Sequence, residues 1–190
     1  GHVFRLRGDR WEDLGAPNGD NVENLLAFGN TLYATTHHFV FEWQGGSRWQ
    51  PIAERPFGIT QIHSVAIYDD KLHIGTWPQG YVLRREPDGK WVNTGRLGLP
   101  PDPFAPDCNE INDLCVHNGK LYAGVIPKAE VYRYEKDNVW TLMGRLGGRP
   151  DWTPFNYETW CRVTALASFN GLLMAGTGSC GSMRSRVPGI

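Results

Sequence analysis

The chain has 190 residues, 41% hydrophobic and 21% charged, which is enough for a real core and excludes a disordered polymer. Its 19 basic and 20 acidic residues leave a formal net charge of −1, so there is no electrostatic case for a nucleic-acid or anionic-membrane partner. No apolar run approaches the roughly 20 residues that span a bilayer, and eight Trp, seven Tyr and eight Phe beside 23 Gly and 13 Pro point to an all-β chain rich in turns.

In chain order, Val3-Phe4 leading to Trp11 reads as a pair of strands over about 1–14. Three fuller segments follow, about 21–54, 60–98 and 110–147, and each reads as four strands, a to d. The stretch from about 162 to 190 supplies strands a and b and an incomplete c at Ser182-Met183-Arg184. The a–b hairpin is written four times: Phe28-Gly29-Asn30-Thr31-Leu32, Tyr68-Asp69-Asp70-Lys71-Leu72, His117-Asn118-Gly119-Lys120-Leu121 and Phe169-Asn170-Gly171-Leu172-Leu173. The final leucine recurs at steps of 40, 49 and 52 residues. Asn-Gly is a strong hairpin signal because both residues tolerate the positive φ of a type I′ turn. The outer pair runs from Val40-Phe41 to Trp49, from Val82-Leu83 to Trp91 and from Val131-Tyr132 to Trp140.

A repeat of this size with several strands per copy predicts a β-propeller of four-stranded blades. Either the terminal strand pairs join to close four blades, or the chain is a segment of a larger propeller. The poor fit of Arg184 to Ile190 to a strand c pattern favours the segment. Trp11, Trp49, Trp91 and Trp140 read as fillers of the wedge between blades, and Gly75, Gly124 and Gly176 as places where backbone approaches backbone. The layout resembles Kelch-like propellers over nearly the whole chain. The resemblance is one of architecture alone, because the Kelch double glycine is here a single Gly75 or Gly124 and no Trp-Asp dipeptide occurs. No family's catalytic residues carry over.

Function is expected where the repeat breaks. Two d–a loops are expanded, Gly98–Glu110 and Gly147–Cys161, and insertions on one face of a repeat protein mark its binding face. The second loop mixes Trp152, Tyr157 and Trp160 with Arg149 and Glu158, a set suited to stacking on a sugar ring while bonding its hydroxyls, or to a protein hot spot. Asp107 and Glu110 lie at the end of the first loop, and His37 and Trp77 lie in b–c loops that share its face. The reading is a non-catalytic binding module for a glycan or protein ligand. The alternative is a carbohydrate-active enzyme, hydrolase or lyase, using these acids and a histidine. Anchoring of the long loops onto the scaffold is the plainer role for the same aromatics. Glu23, His63, Asn112 and Thr164 enter strand a in successive copies and could form a polar ring. No metal-ligand spacing or cofactor motif is present. The four cysteines lack a Cys-x-x-Cys pair, and a Cys161–Cys180 bridge would favour an extracytoplasmic compartment. No leader peptide is visible ahead of the first strand.

Overall fold

The computed structural model describes residues 1–101, 107–147 and 161–179. They fall into two compact units, Gly1–Ile62 and His63–Ile190. The described residues are all-β apart from one 3-10 turn at Pro56–Gly58.

In the first unit, β1 (Phe4–Arg7) and β2 (Arg10–Asp13) form a two-stranded sheet. The strands β3 (Asn24–Phe28), β4 (Thr31–Thr35), β5 (Phe39–Trp43) and β6 (Trp49–Glu54) form a four-stranded antiparallel sheet in that order. Val3, Leu14, Ala34, Val40 and Phe41 are its buried apolar residues nearest these strands. The Trp49 indole N–H donates to the Leu14 carbonyl at 2.9 Å, which ties the start of β6 to the end of the preceding hairpin.

The second unit takes in all but the first two residues of β7 (Gln61–Tyr68), which pairs in order with β8 (Lys71–Trp77), β9 (Tyr81–Arg85) and β10 (Trp91–Arg96). The next sheet is β11 (Glu110–His117), β12 (Lys120–Ile126), β13 (Glu130–Lys136) and β14 (Val139–Arg145), and the last is the pair β15 (Cys161–Phe169) and β16 (Leu172–Ser179). Three sheets therefore carry the expected four strands in simple meander order. The a–b turns have the expected geometry: Asn118 and Gly119 have φ of 47° and 69°, and Asn170 and Gly171 have 49° and 76°. Asp69 and Asp70 adopt the same left-handed pair at 51° and 55° without any glycine, which short polar side chains tolerate.

The sheets of this unit stack face to face. Ile111, Leu114, Leu121, Ala123 and Val125 bury against Ala66, Val82 and Leu97 of the preceding sheet. On the other side, Tyr122 and Val131 bury against Val163 and Leu166. The glycines of β8 and β12 serve this contact differently from expectation. What approaches Gly75 is the Ser64 hydroxyl and the Ile111 side chain, and what approaches Gly124 is chiefly the Val163 side chain. Polar bonds reinforce the stack: the Ser64 hydroxyl donates to the Ile111 carbonyl at 3.0 Å, and the Leu166 N–H donates to the Asp113 carboxylate at 2.5 Å. At the far edge, Arg84 clasps Asp137 through both terminal nitrogens at 2.6 and 3.0 Å.

The filler reading holds for Trp140, which packs on the core between the β7–β10 and β11–β14 sheets. Its indole N–H also donates to the Thr94 carbonyl at 3.0 Å, the counterpart of the Trp49 bond. A Cβ on Gly95 would lie 2.6 Å from that indole nitrogen, so glycine makes room for the ring. Trp11 is 68% exposed. Trp140→Phe should lower unfolding free energy by about 1–2 kcal/mol in urea titrations, since one hydrogen bond and part of the ring are lost. The loss stays modest because the Asn138 N–H still satisfies the Thr94 carbonyl at 2.7 Å.

Candidate functional site

One end of the β11–β14 sheet gathers charged side chains from three of its four strands, Glu110, Glu130 and Arg145. β11 begins there and β12 ends there, with Glu110 opposite Ile126. β13 begins and β14 finishes at the same end, with Glu130 opposite Arg145. Antiparallel register thus places two carboxylates on one rim.

Glu110 is only 6% exposed. Its carboxylate accepts the Asn112 side-chain N–H at 2.6 Å and lies 3.7 Å from His63 Nε2 on the preceding inner strand. Counted back from the strand ends, Arg162 holds the position of Glu110 one sheet later, and Thr164 that of Asn112. On the inner strands β11 and β15, two side-chain polar atoms have no bonding partner among the described residues: the Asn112 amide oxygen, an acceptor, and Arg162 Nε, a donor. Leaving such a buried group unsatisfied costs about 1–3 kcal/mol. Gln79 Oε1 is in the same condition on the adjoining loop.

Further out on the rim, Glu130 is buried and receives Arg145 at 2.7 and 3.1 Å and the Tyr132 hydroxyl at 2.8 Å. Burial, then the Glu130 bond, pushes the Tyr132 phenol well above its ordinary value, so it stays a neutral donor. A cleft of about 260 Å³ opens beside it, walled by Arg96, Gly98, Tyr132 and Trp140. The loop that leaves β10 is held at both ends. Arg96 grips both Asp107 oxygens at 2.9 Å and also donates to the Leu99 carbonyl. The Asn109 amide brackets Leu99, donating to its carbonyl and accepting its N–H, both at 2.8 Å.

Of the residues singled out from sequence, Arg149, Trp152, Tyr157, Glu158 and Trp160 lie outside the described residues, as does Cys180, the expected partner of Cys161. Glu110 sits at the centre of the buried cluster, with His63 and Asn112 of the anticipated polar ring beside it. Asp107 is engaged by Arg96. Trp77 ends β8 at the place where Ile126, the partner of Glu110, ends β12. His37 belongs to the first unit and lies 3.3 Å from Glu23. Cys108 and Cys115 are unbridged. Among the described residues no group of three potential metal ligands converges.

Sequence reasoning passed over Arg162, Asn109 and the Glu130–Arg145 pair. A signal existed for part of this: Trp91 to Gly98 and Trp140 to Gly147 share the pattern Trp-x-x-x-Gly-Arg-Leu-Gly, which places Arg96 and Arg145 at the same point. A second lay in Trp77-Pro78-Gln79-Gly80 and Ile126-Pro127-Lys128-Ala129. Both prolines follow cis peptide bonds, and both loops bridge in parallel to the start of the next inner strand, Gln79 to Asn109 and Lys128 to Cys161.

No protein family matches the chain, and no curated protein does. Solved structures do match. Two are crystal structures of the extracellular domain of BT4673 from B. thetaiotaomicron, described in one as a proposed one-component system and in the other as a proposed hybrid two-component system. Each is 18% identical to this chain, with TM-scores of 0.63 and 0.65. The match covers 93% of this chain and 22% of theirs, so the chain spans about a fifth of their length. At this identity the likeness is one of fold.

Proposed function

We propose that this chain is a segment of a β-propeller that works outside the cytoplasm as a non-catalytic binding module, taking a glycan at the rim built around Glu110. The observation that carries the reading is the pair of unpartnered polar atoms, the Asn112 oxygen and Arg162 Nε, on packed inner strands beside a buried carboxylate. A folded chain keeps such groups at a cost in stability, and a ligand that both donates and accepts removes the cost. Sugar hydroxyls do both. Trp77 and the loop aromatics Trp152, Tyr157 and Trp160 supply stacking faces, with Arg149 and Glu158 as further polar contacts. Support for the compartment comes from the extracellular domains whose fold this chain shares.

The test is calorimetric titration with a panel of oligosaccharides, set beside thermal melting. Arg162→Met removes the unpartnered nitrogen, so its melting temperature should hold or rise while affinity falls at least tenfold. Glu110→Gln should weaken binding similarly. If no oligosaccharide binds, or if both variants bind as wild type does, the reading is wrong. Release of new reducing ends from a bound oligosaccharide would favour the enzymatic alternative built on Glu110 and His63.

A further inference from the structure

His73 is a buried titratable side chain that the Glu110 rim does not use. It stands in β8, 1% exposed, where its Nδ1–H donates to the Lys71 carbonyl at 3.1 Å and its Nε2 has no partner among the described residues. The Tyr68 ring of β7 meets it edge-on with centroids 5.9 Å apart, and Tyr134 of the next sheet meets Tyr68 in the same way at 5.8 Å. The charged groups that act on the ring are Lys71 of its own strand, Arg84 of β9 and Asp137 in the turn between β13 and β14. Glu86, just after β9, is joined to Lys71 at 3.0 Å and to Arg84 at 2.6 Å.

The same groups fasten two sheets together. Besides gripping Asp137, Arg84 donates to the Tyr134 hydroxyl at 3.2 Å, and that hydroxyl donates to Asp137 at 2.5 Å. Next to Asp137, the Asn138 N–H and the Trp140 indole N–H both reach the Thr94 carbonyl of β10. Asn138 and Trp140 also line the cleft with Gly95 to Gly98, so this fastening holds one of its walls. While His73 is neutral, two cations, Lys71 and Arg84, face two carboxylates, Glu86 and Asp137. Lys71 and then Arg84 hold the Glu86 carboxyl below its ordinary range, and Arg84 does the same for Asp137, so both acids stay ionised as the pH falls toward that range. A proton on Nε2 adds a third cation with no carboxylate to balance it, in a buried place where an uncompensated charge is costly.

We propose that a proton taken up by His73 releases the β13–β14 turn from the β7–β10 sheet, with Arg84 and Asp137 as the latch between them. The imidazolium repels Arg84, and its new Nε2–H competes for the carboxylate that Arg84 holds. Opening the turn lets water reach the ring. The open form then binds the proton as an ordinary histidine does, near pH 6.5, and the closed form only near pH 4. Opening becomes about tenfold more favourable for each pH unit lost between these values and is unaffected by pH above them. The device lies between two internal sheets of the second unit, and it does not depend on the glycan assigned to the Glu110 rim.

Hydrogen exchange followed by NMR from pH 7 to 4 tests this, with each rate compared to that of an unstructured chain at the same pH. The Asn138 amide and the Trp140 indole should be less protected than the amides of β12 at every pH. Their protection should fall about tenfold per pH unit below 6.5. His73→Asn should leave that protection nearly flat across the range. Arg84→Gln should raise the pKa of the folded His73, read from its ring proton shifts, because latch and proton are coupled reciprocally. That variant carries the test by itself if circular dichroism shows His73→Asn unfolded. Protection at Asn138 and Trp140 that equals that of β12 throughout would mean global unfolding alone and would overturn the proposal. Protection that ignores pH, a His73→Asn variant with the wild-type slope, or an imidazole titration unmoved by Arg84→Gln would overturn it equally.

Discussion

Gly75→Val is expected to lower the unfolding free energy by about 3 kcal/mol, read as a fall in the urea midpoint. A Cβ at Gly75 would collide with the Ser64 hydroxyl and would lie 2.5 and 2.7 Å from Ile111 Cγ2 and Cβ. Overpacking of this kind costs about 1–3 kcal/mol. Displacing Ser64 also breaks its bond to the Ile111 carbonyl, worth about 1 kcal/mol more. Neither neighbour can yield cheaply, because Ile111 is fully buried and is gripped by the stacked core. Gly75→Ala should act in the same direction with smaller size. Gly176→Ala is the matched control and should be nearly silent, since no atom lies within 3.8 Å of the added carbon. The origin of the effect can be isolated with Ile111→Ala: if the clash is the cause, the double variant Gly75→Ala with Ile111→Ala will be more stable than the sum of the two single losses predicts. Simple additivity would place the clash on the Ser64 hydroxyl and not on Ile111.

Lowering the pH from 7 toward 4 should cost the wild-type chain up to about 3 kcal/mol at one residue, His73. The ring is 1% exposed, its Nδ1–H donates to the Lys71 carbonyl at 3.1 Å, and Nε2 has no partner. Burial, with the nearby charge of Arg84, lowers its pKa from 6.5 to about 4, against the smaller opposing effect of the Lys71 bond. Between those two values the unfolded chain binds the proton and the folded chain does not. Stability therefore rises with pH through this window, is complete above about 6.5 and is lost as the pH falls toward 4. The size follows from the distance between the folded and unfolded pKa values, each pH unit being worth about 1.4 kcal/mol. His73→Asn keeps a donor near the Lys71 carbonyl and removes the titration. It should be less stable at pH 7, because the ring leaves a void, yet its stability should fall less steeply between pH 6.5 and 4. Parallel pH profiles for the two proteins would refute the assignment.

The hairpins were legible in the chain because their signals are local. Asn118-Gly119 and Asn170-Gly171 prescribe their own backbone angles, and the recurring leucine after each turn gives strand direction and repeat length. Trp140 was recognised as packing material, since a large ring opening an outer strand has few other uses. Its hydrogen bond to Thr94 was not legible, because the carbonyl lies 46 residues away and nothing near the tryptophan names it. The candidate site divides in the same way. Glu110, His63 and Asn112 could be picked out one by one as polar residues entering apolar strands. That Glu110 accepts from Asn112 and faces His63, while Asp107 closes on Arg96, depends on sheet stacking and on a loop folding back on itself.

The sequence by itself determined the all-β class, the strand order within each sheet and the turns that join them, because side-chain alternation and turn chemistry act over a few residues. Only the tertiary structure decided what each glycine faces, which carboxylates are bound to arginine and which polar atoms lack partners. The packing bonds join residues about 35 to 55 positions apart that meet only when one sheet settles on the next, and the Arg96–Asp107 and Arg145–Glu130 pairs, 11 and 15 positions apart, form only when a loop folds back or two strands pair.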